Sequence, residues 1–325
     1  MSTPVLGVQG GGYPEAGTWA ASFGWRHQKS DKHFVGSEYQ AERDHESSQV
    51  VNDANMVDLS LRYQATKRVE LSLGVPYLMA TRSQPLRAAD REIIERYQTQ
   101  ARGIGDVVFA ARRWMLDPDT HAGGNLMLGL GVKLPTGANN VVDTFRVRSG
   151  ETISNQIRTV DQSIQPGDGG FGIMADFSAF KGFSKASLYA SGAYLANPGG
   201  TSRVLTYRGG AGEQVMSIAD QYLLRAGAAV PVPKTTSLSF SAGIRMEGVP
   251  VRDLLGSSDG FRRPGVAVSI EPSLNYVRGR NGFAVGLPFA VYRNRFVSVS
   301  DEARGSHGDA AFADYLVMFG YSRRF

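Results

Sequence analysis

The sequence predicts an all-β protein: a single transmembrane antiparallel β-barrel of about twelve strands, with short periplasmic turns and long extracellular loops. Three observations carry that prediction. Apolar and polar residues alternate with period two over segments of about nine to eleven residues, the length at which a tilted strand crosses a bilayer. The connections between these segments alternate between short and long, which a soluble sandwich has no reason to do. Aromatic residues collect at both ends of the apolar faces, as the girdles of a barrel in lipid require.

Taken in order, the strands are expected near residues 18–27, 55–64, 68–79, 105–114, 125–135, 170–179, 185–195, 219–230, 237–246, 265–276, 282–292 and 311–325. In the second, Val57, Leu59, Leu61 and Tyr63 interleave with Asp58, Ser60, Arg62 and Gln64. In the third, Val69, Leu71, Leu73, Val75 and Tyr77 interleave with Glu70, Ser72 and Gly74. The fifth sets Leu126, Leu128, Leu130, Val132 and Leu134 against Met127, Gly129, Gly131 and Lys133, and the ninth sets Leu238, Phe240, Ala242, Ile244 and Met246 against Ser239, Ser241, Gly243 and Arg245. Short turns are expected at 65–67, 115–124, 180–184, 231–236 and 277–281, and long polar connections include 28–54, 82–104 and 136–169. Within the second of these, Leu86, Ile93, Ile94 and Tyr97 among many charges suggest a short helix over 86–101. A three-residue loop at 65–67 would pair Gln64 with Arg68 and set Arg62 opposite Glu70, both facing inward. Pro76, Pro272 and Pro288 each remove a ladder donor and so mark bulges or strand ends. The last strand ends on Phe325, which the reading places at barrel closure.

Alternation alone does not say which face is wet. The polar face here is rich in Gly, Ser and Ala with isolated charges, which suits a crowded lumen better than a surface dressed in Lys and Glu. On the apolar face, Trp25, Tyr77, Tyr222 and Tyr315 fall near the long-loop rim, and Trp19, Tyr63, Tyr276 and Tyr321 near the short-turn rim. Trp19, Trp25, Tyr63, Tyr77, Tyr276, Tyr321 and Phe325 are therefore the expected membrane-interface aromatics.

Composition closes other classes. With 42 % apolar and 20 % charged residues the 325-residue chain is too apolar for disorder, and no apolar run approaches the ~18–20 residues of a membrane-spanning helix. The absence of Cys removes disulfide frameworks, thiolate metal sites and Cys nucleophiles. A net charge of +5 without a Lys/Arg cluster argues against nucleic acid as a partner. The start, Met-Ser-Thr-Pro-Val, has no basic stretch leading into an apolar one, which leaves a cytoplasmic protein or a mature chain with an added Met; the barrel pattern places the protein in the bacterial outer membrane.

Four short motifs add a resemblance. They are Gly103-Ile104-Gly105-Asp106 opening a strand, Lys133-Leu134-Pro135-Thr136-Gly137 closing the next, Gln165-Pro166-Gly167-Asp168-Gly169-Gly170 before the sixth, and Leu287-Pro288-Phe289 with Tyr292-Arg293-Asn294. In order and spacing they resemble the outer-membrane β-barrel transporters grouped around the phenol meta-pathway degradation proteins. The resemblance implies a barrel for uptake of small, often aromatic or otherwise hydrophobic compounds.

The inward register carries Arg26, Asp58, Arg62, Glu70, Asp106, Arg112, Lys133, Asp176, Arg225, Arg245, Glu271 and Asp314. Such a balanced set either lines a polar pathway or knits itself into ion pairs, since a lone charge inside a barrel is costly and a paired one is tolerated. Arg62, Glu70, Arg112, Lys133, Asp176, Arg225, Arg245 and Glu271 are the expected pore-lining residues. Small inward residues, Ser72, Gly74, Gly129, Gly131, Ser239, Ser241 and Gly243, are expected to leave space, giving a narrow, charge-lined path.

No catalytic residue, metal site or cofactor is expected. A barrel hydrolase would need a His beside a Ser or Asp; His27, His33, His45 and His307 all fall at the long-loop rim, and the group His33, Glu38, Asp44, His45 and Glu46 reads as a solvated loop without zinc spacing. The expected partners are outer-membrane lipid and lipopolysaccharide and a small organic solute. Arg146, Arg148, Arg262 and Arg263 could meet anionic head groups, so a structural or surface-interaction barrel with a closed lumen is the alternative to a channel. Residues 18–325 form the barrel; residues 1–17, with Gly10-Gly11-Gly12, form a periplasmic segment too short for a full plug but able to reach into the lumen.

Overall fold

The computed structural model describes residues 13–90, 92–235 and 237–325, and in it twelve antiparallel strands close into one barrel. They are β1 (Trp19–Val35), β2 (Val51–Gln64), β3 (Val69–Arg87), β4 in two pieces (Ile93–Ile104 and Val107–Trp114), β5 (Gly124–Leu134) and β6 (Gly172–Gly182). The ring continues with β7 (Ser187–Ala196), β8 (Gln221–Pro231), β9 (Leu238–Val249), β10 (Gly265–Arg278), β11 in two pieces (Asn281–Gly286 and Phe289–Arg295) and β12 (Ala310–Arg324). Neighbours in the chain are neighbours in the wall, and β12 returns to pair with β1, Phe319 opposite Trp25. Closure matters because an orphan backbone group facing hydrocarbon costs several kcal/mol.

The alternation maps onto the wall. In β5, Leu126, Leu128, Leu130 and Val132 are exposed outside, whereas Asn125, Met127 and Lys133 are buried facing the lumen. Leu59, Leu71, Phe240, Ile270 and Val285 extend the outer apolar band around the barrel. At the short-turn rim Trp19 packs on Tyr63 with ring centroids 4.7 Å apart, and Tyr276, Phe283 and Tyr321 follow one another at 6.2 and 5.0 Å. Further up, Trp25 stacks over His27 and donates from Nε1 to Asn55 Oδ1 (3.2 Å), and Tyr77 is exposed beside Val57. Phe325 lies at the lower rim with the Arg323 guanidinium 5.5 Å over its ring. An apolar belt rimmed by amphipathic rings on a closed barrel makes this an integral outer-membrane protein.

Two expectations need correction. The stretch 82–104 is neither a long loop nor a helix: β3 and β4 run beyond the barrel as one hairpin, paired as far as Arg87 and Ile93. Its residues alternate with period two, Tyr97, Thr99 and Ala101 turned inward against Arg96, Gln98, Gln100 and Arg102 outward, so a helix would have split the face that packs. The turn after β2 is also longer than three residues. Ala65 N donates to Val69 O (2.8 Å) and Thr66 Oγ1 accepts from Val69 N (3.0 Å), so Gln64 pairs with Glu70 and Arg62 with Ser72. The register moves by two residues, and since side chains repeat every two, no residue changes face.

The three prolines sit at interruptions of the ladder. Gly105 N donates to Pro76 O (2.8 Å) across the break in β4; Leu287 N donates to Pro272 O and Leu316 N to Pro288 O (both 3.0 Å) around the break in β11. At the upper rim the connection 135–171 forms a hairpin of Val142–Ser149 and Thr152–Thr159, then folds back into the barrel mouth. There Val160 and Ile164, both fully buried, pack with Leu78, Ala80 and Ala101.

Candidate functional site

The lower half of the lumen is a lattice of ion pairs on two facing walls. On one, Glu70 lies opposite Arg112 (Oε1–Nη1 3.6 Å), and Arg112 reaches across β5 to Asp176 (Nε–Oδ1 2.9 Å) and to Ser72 Oγ (2.7 Å). Arg62 meets Glu70 diagonally at 4.0 Å and donates to Ser22 Oγ (3.2 Å). On the other, Arg225 grips Glu271 with two bonds, Nε–Oε2 at 3.1 Å, while Arg245 lies 3.8 Å from Glu271 and 2.6 Å from Glu247.

Of the small inward residues, Gly74 leaves space, with only Val108 O near its Cβ position (3.9 Å), but Gly129, Gly131 and Gly243 do not. A Cβ on Gly129 would stand 2.6 Å from the Asp176 carboxylate and 2.8 Å from Arg112 Cγ, so this glycine lets the ion pair cross its strand. Gly227 and Gly243 are covered by the Tyr189 hydroxyl, each with its Cβ position 2.6 Å away. Where chains cross that closely the position needs glycine.

Three of the motifs meet in the wall at the break of β4. Asp106 accepts from Gly137 N (Oδ1, 2.9 Å) and from Asp168 N (Oδ2, 3.1 Å), and Lys133 Nζ bonds Asp168 and lies 3.8 Å from Asp106. Thr136 Oγ1 donates to Gly105 O (3.1 Å) and accepts from Val107 N (2.9 Å). A Cβ on Gly137 would lie 2.8 Å from backbone atoms of both Gly105 and Gly167. Segments far apart in the chain are thus tied together, with the Asp106 carboxylate as the shared acceptor of their backbone N–H groups.

Above this lattice, beneath the long loops, is a cavity of about 690 Å³. Its lower wall is apolar, with Leu78, Val108, Met174, Leu195, Leu223 and Leu316; Arg26, Lys133 and Glu247 also reach it. Its upper wall is charged. Asp161 on the inward-folded loop accepts two bonds from Arg263 (2.8 and 2.7 Å) and lies 3.5 Å from Arg82, which also donates to Asn52 Oδ1 (3.0 Å) and Ser163 Oγ (3.3 Å). Burial alone would raise the Asp161 carboxyl, but the charges of Arg263 and Arg82 hold it well below the usual carboxylate range.

Lys133, among the expected pore-lining residues, faces the cavity; Arg62, Glu70, Arg112, Asp176, Arg225, Arg245 and Glu271 lie below it in the lattice. Asp314 stands at a bulge of β12 with its side chain 53 % exposed, paired with Arg293. Two of the loop arginines do not face lipid: Arg262 is buried against Asp253 (2.7 and 2.6 Å), and Arg263 points to Asp161 because those carboxylates lie on the mouth side. Arg146 pairs with Glu95 at 2.6 Å. His33 is not in a solvated loop but buried in β1, bonding Asp309 and accepting from Val50 N (2.9 Å). The expected reach of residues 1–17 into the lumen falls mostly on residues 1–12, which lie outside the described residues. Tyr13 packs edge-on to Trp114 (centroids 5.0 Å) and near Phe180 (6.1 Å), two inward side chains at the lower rim. Sequence reasoning missed Asp161, Arg82, Arg208, Glu213 and Phe261, which lie beyond the periodic segments.

No protein-family model and no curated protein matches the chain. Among solved structures it is similar to the COG4313 outer membrane channel from Pseudomonas putida F1, with a TM-score of 0.61 and 14 % identity over 98 % of this chain and 99 % of that one. It also aligns with the P. putida toluene transporter TodX (TM-score 0.46, 10 % identity, covering 96 % and 91 %). A third match is the translocator domain of the autotransporter NalP from Neisseria meningitidis (TM-score 0.46, 10 % identity, covering 98 % and 91 %). The likeness to the first is one of fold: this chain is an outer-membrane β-barrel of that architecture.

Proposed function

We propose that the barrel is a gated channel for small organic solutes, aromatic or hydrophobic, of the type grouped around the phenol meta-pathway degradation proteins. The observation that carries this reading is the division of the lumen. A cavity of about 690 Å³ with an apolar lower wall lies under the loops, a volume within the ~300–1,000 Å³ range of small-molecule sites. Beneath it the ion-pair lattice, and Tyr13 against Trp114 and Phe180, narrow the way to the periplasmic side. A solute is taken up in the cavity, and passage requires the lattice to part. Convergence of three family-like motifs on Asp106 supports the family assignment, and the neighbour described as an outer membrane channel supports the channel.

The same lattice favours one alternative, a closed barrel that works through its loops. Purified protein in proteoliposomes separates the two. The channel reading expects flux of a neutral probe, benzyl alcohol, above that of protein-free vesicles, and small single-channel conductance that rises in Glu271→Ala. Absence of both, in wild type and variant alike, leaves the surface role.

A further inference from the structure

The charges at the mouth do not balance. Arg43 meets Asp309 (3.0 Å), Arg262 meets Asp253, Arg295 and Arg304 share Asp301 (2.9 Å each), and Arg304 also holds Glu213. Arg82 and Arg263 share the single carboxylate of Asp161. Arg208 is left over: among the described residues it has no ion-pair partner. Its guanidinium stacks on the Phe261 ring at 3.9 Å from the centroid, and Arg263 approaches the same ring at 4.7 Å. Two cations on one phenyl ring, with one carboxylate between three arginines, leave a local excess of positive charge facing the cavity.

The backbone is shaped to hold Arg208 there. Tyr207, just before it, takes a left-handed conformation (φ 59°), which costs of the order of 1 kcal/mol for a residue other than glycine. The turn is fixed by Arg208 N donating to Thr206 Oγ1 (3.2 Å) and Thr206 N to Gln214 O (3.0 Å). Burial, then the charge of Arg263, depress the basicity of Arg208 against the opposing charges of Asp161, Glu213 and Asp309. Below lies apolar wall: Met174, Leu195 and Leu223.

We infer that the cavity selects organic anions, taking the carboxylate of an aromatic or similarly apolar acid on Arg208 beside Phe261 while the apolar body rests on Met174, Leu195 and Leu223. The inference rests on the channel reading and deepens it by naming the solute's charge. A guanidinium binds a carboxylate with two parallel bonds, and the ring that stacks on Arg208 keeps its donors aimed at the cavity.

The test compares benzoate with benzyl alcohol, nearly the same shape without the charge, in proteoliposomes holding the full chain. The expected result is saturable benzoate flux that Arg208→Gln weakens about tenfold in apparent affinity, the usual effect of losing one charge-assisted pair. Arg208→Lys should restore part of it. Benzyl alcohol flux in excess of protein-free vesicles should be unchanged in both variants, which also shows that they fold. Equal benzoate flux in wild type and Arg208→Gln overturns the inference while leaving the channel intact; so does a change confined to the chloride-over-potassium reversal potential, which would make Arg208 a general anion filter. If neither probe crosses faster in the wild type than in protein-free vesicles, the channel reading itself fails.

Discussion

The two halves of the lumen solve the same electrostatic problem differently. In the lower half the charges of the lattice face partners on a neighbouring or next-but-one strand, Arg112 with Glu70 and Asp176, Arg225 with Glu271, and the walls are regular strands. In the upper half the partners come from loops distant in sequence, Asp161 with Arg263 and Arg82, Asp309 with Arg43 and His33, and among the described residues Arg208, on the Phe261 ring, has no ion-pair partner. Regular wall leads to local neutrality, because strands place complementary residues opposite one another at little cost in order. The irregular mouth can afford an imbalance only where a solute or water completes it.

The largest effect is expected where the lower half is most buried. Glu271 is 1 % exposed and serves both Arg225 and Arg245. Glu271→Ala should lower barrel stability by about 3–5 kcal/mol, since buried Arg225 loses its counter-charge and Arg245 one of its two, whereas Arg225→Ala with Glu271→Ala together should cost less than Glu271→Ala alone. Urea unfolding in lipid vesicles measures this. A double variant as damaged as the sum of its singles would mean the lattice is not one network.

Next comes the hinge between the halves. Asp161→Asn removes the charge on which Arg263 and Arg82 converge, and with it the tether that holds Val160 and Ile164 in the mouth. Charge-assisted bonds of this kind are worth roughly 1.5–3 kcal/mol each. The variant should show larger and noisier single-channel conductance with the lower lattice unchanged. Conductance identical to wild type would show that the loop is held by its apolar contacts alone.

The comparison also explains what the sequence made legible. Period two identifies the lower half well: Leu126 to Val132 point outward, Met127 to Lys133 inward, and the shift of two residues at the first short turn leaves every face correct. The same rule, applied further, would have found β4 through Tyr97, Thr99 and Ala101, but the charges around Ile93 and Ile94 look like a helix surface until the packing partners Phe145 and Ile164 are known. Gly129 reads as empty space because nothing in its neighbours tells that Arg112 and Asp176 will meet across it. The mouth was invisible for a stricter reason: Arg208, Phe261, Asp161 and Asp309 are separated by long stretches of chain in aperiodic loops, and only the closed barrel brings them together. Three family-like motifs were visible as short strings, yet their meeting at Asp106 depends on the ring of strands between them.

The smallest expected effect is on pH, and it distinguishes the halves by where protons go first. Burial would raise the Asp309 carboxyl, but the hydrogen bond from His33 and the charge of Arg43 outweigh it and lower it to about 2. A carboxyl lowered in the folded state stabilises the fold above its unfolded value of about 4 and stops doing so as pH falls through about 2. Its contribution is therefore complete at neutral pH, begins to fade near pH 4 and is gone below about 2. With the side chain 30 % exposed, solvent screening keeps that contribution to roughly 1–2 kcal/mol. Asp309→Asn should lower the unfolding midpoint at neutral pH and flatten its fall between about pH 4 and 2 relative to wild type. Asp161 and Asp301 are lowered as well and titrate in both proteins, so the difference between the two curves isolates Asp309. Parallel curves through that window would show that Asp309 keeps its proton affinity on folding, and that its contact with His33 of β1 does not rest on charge.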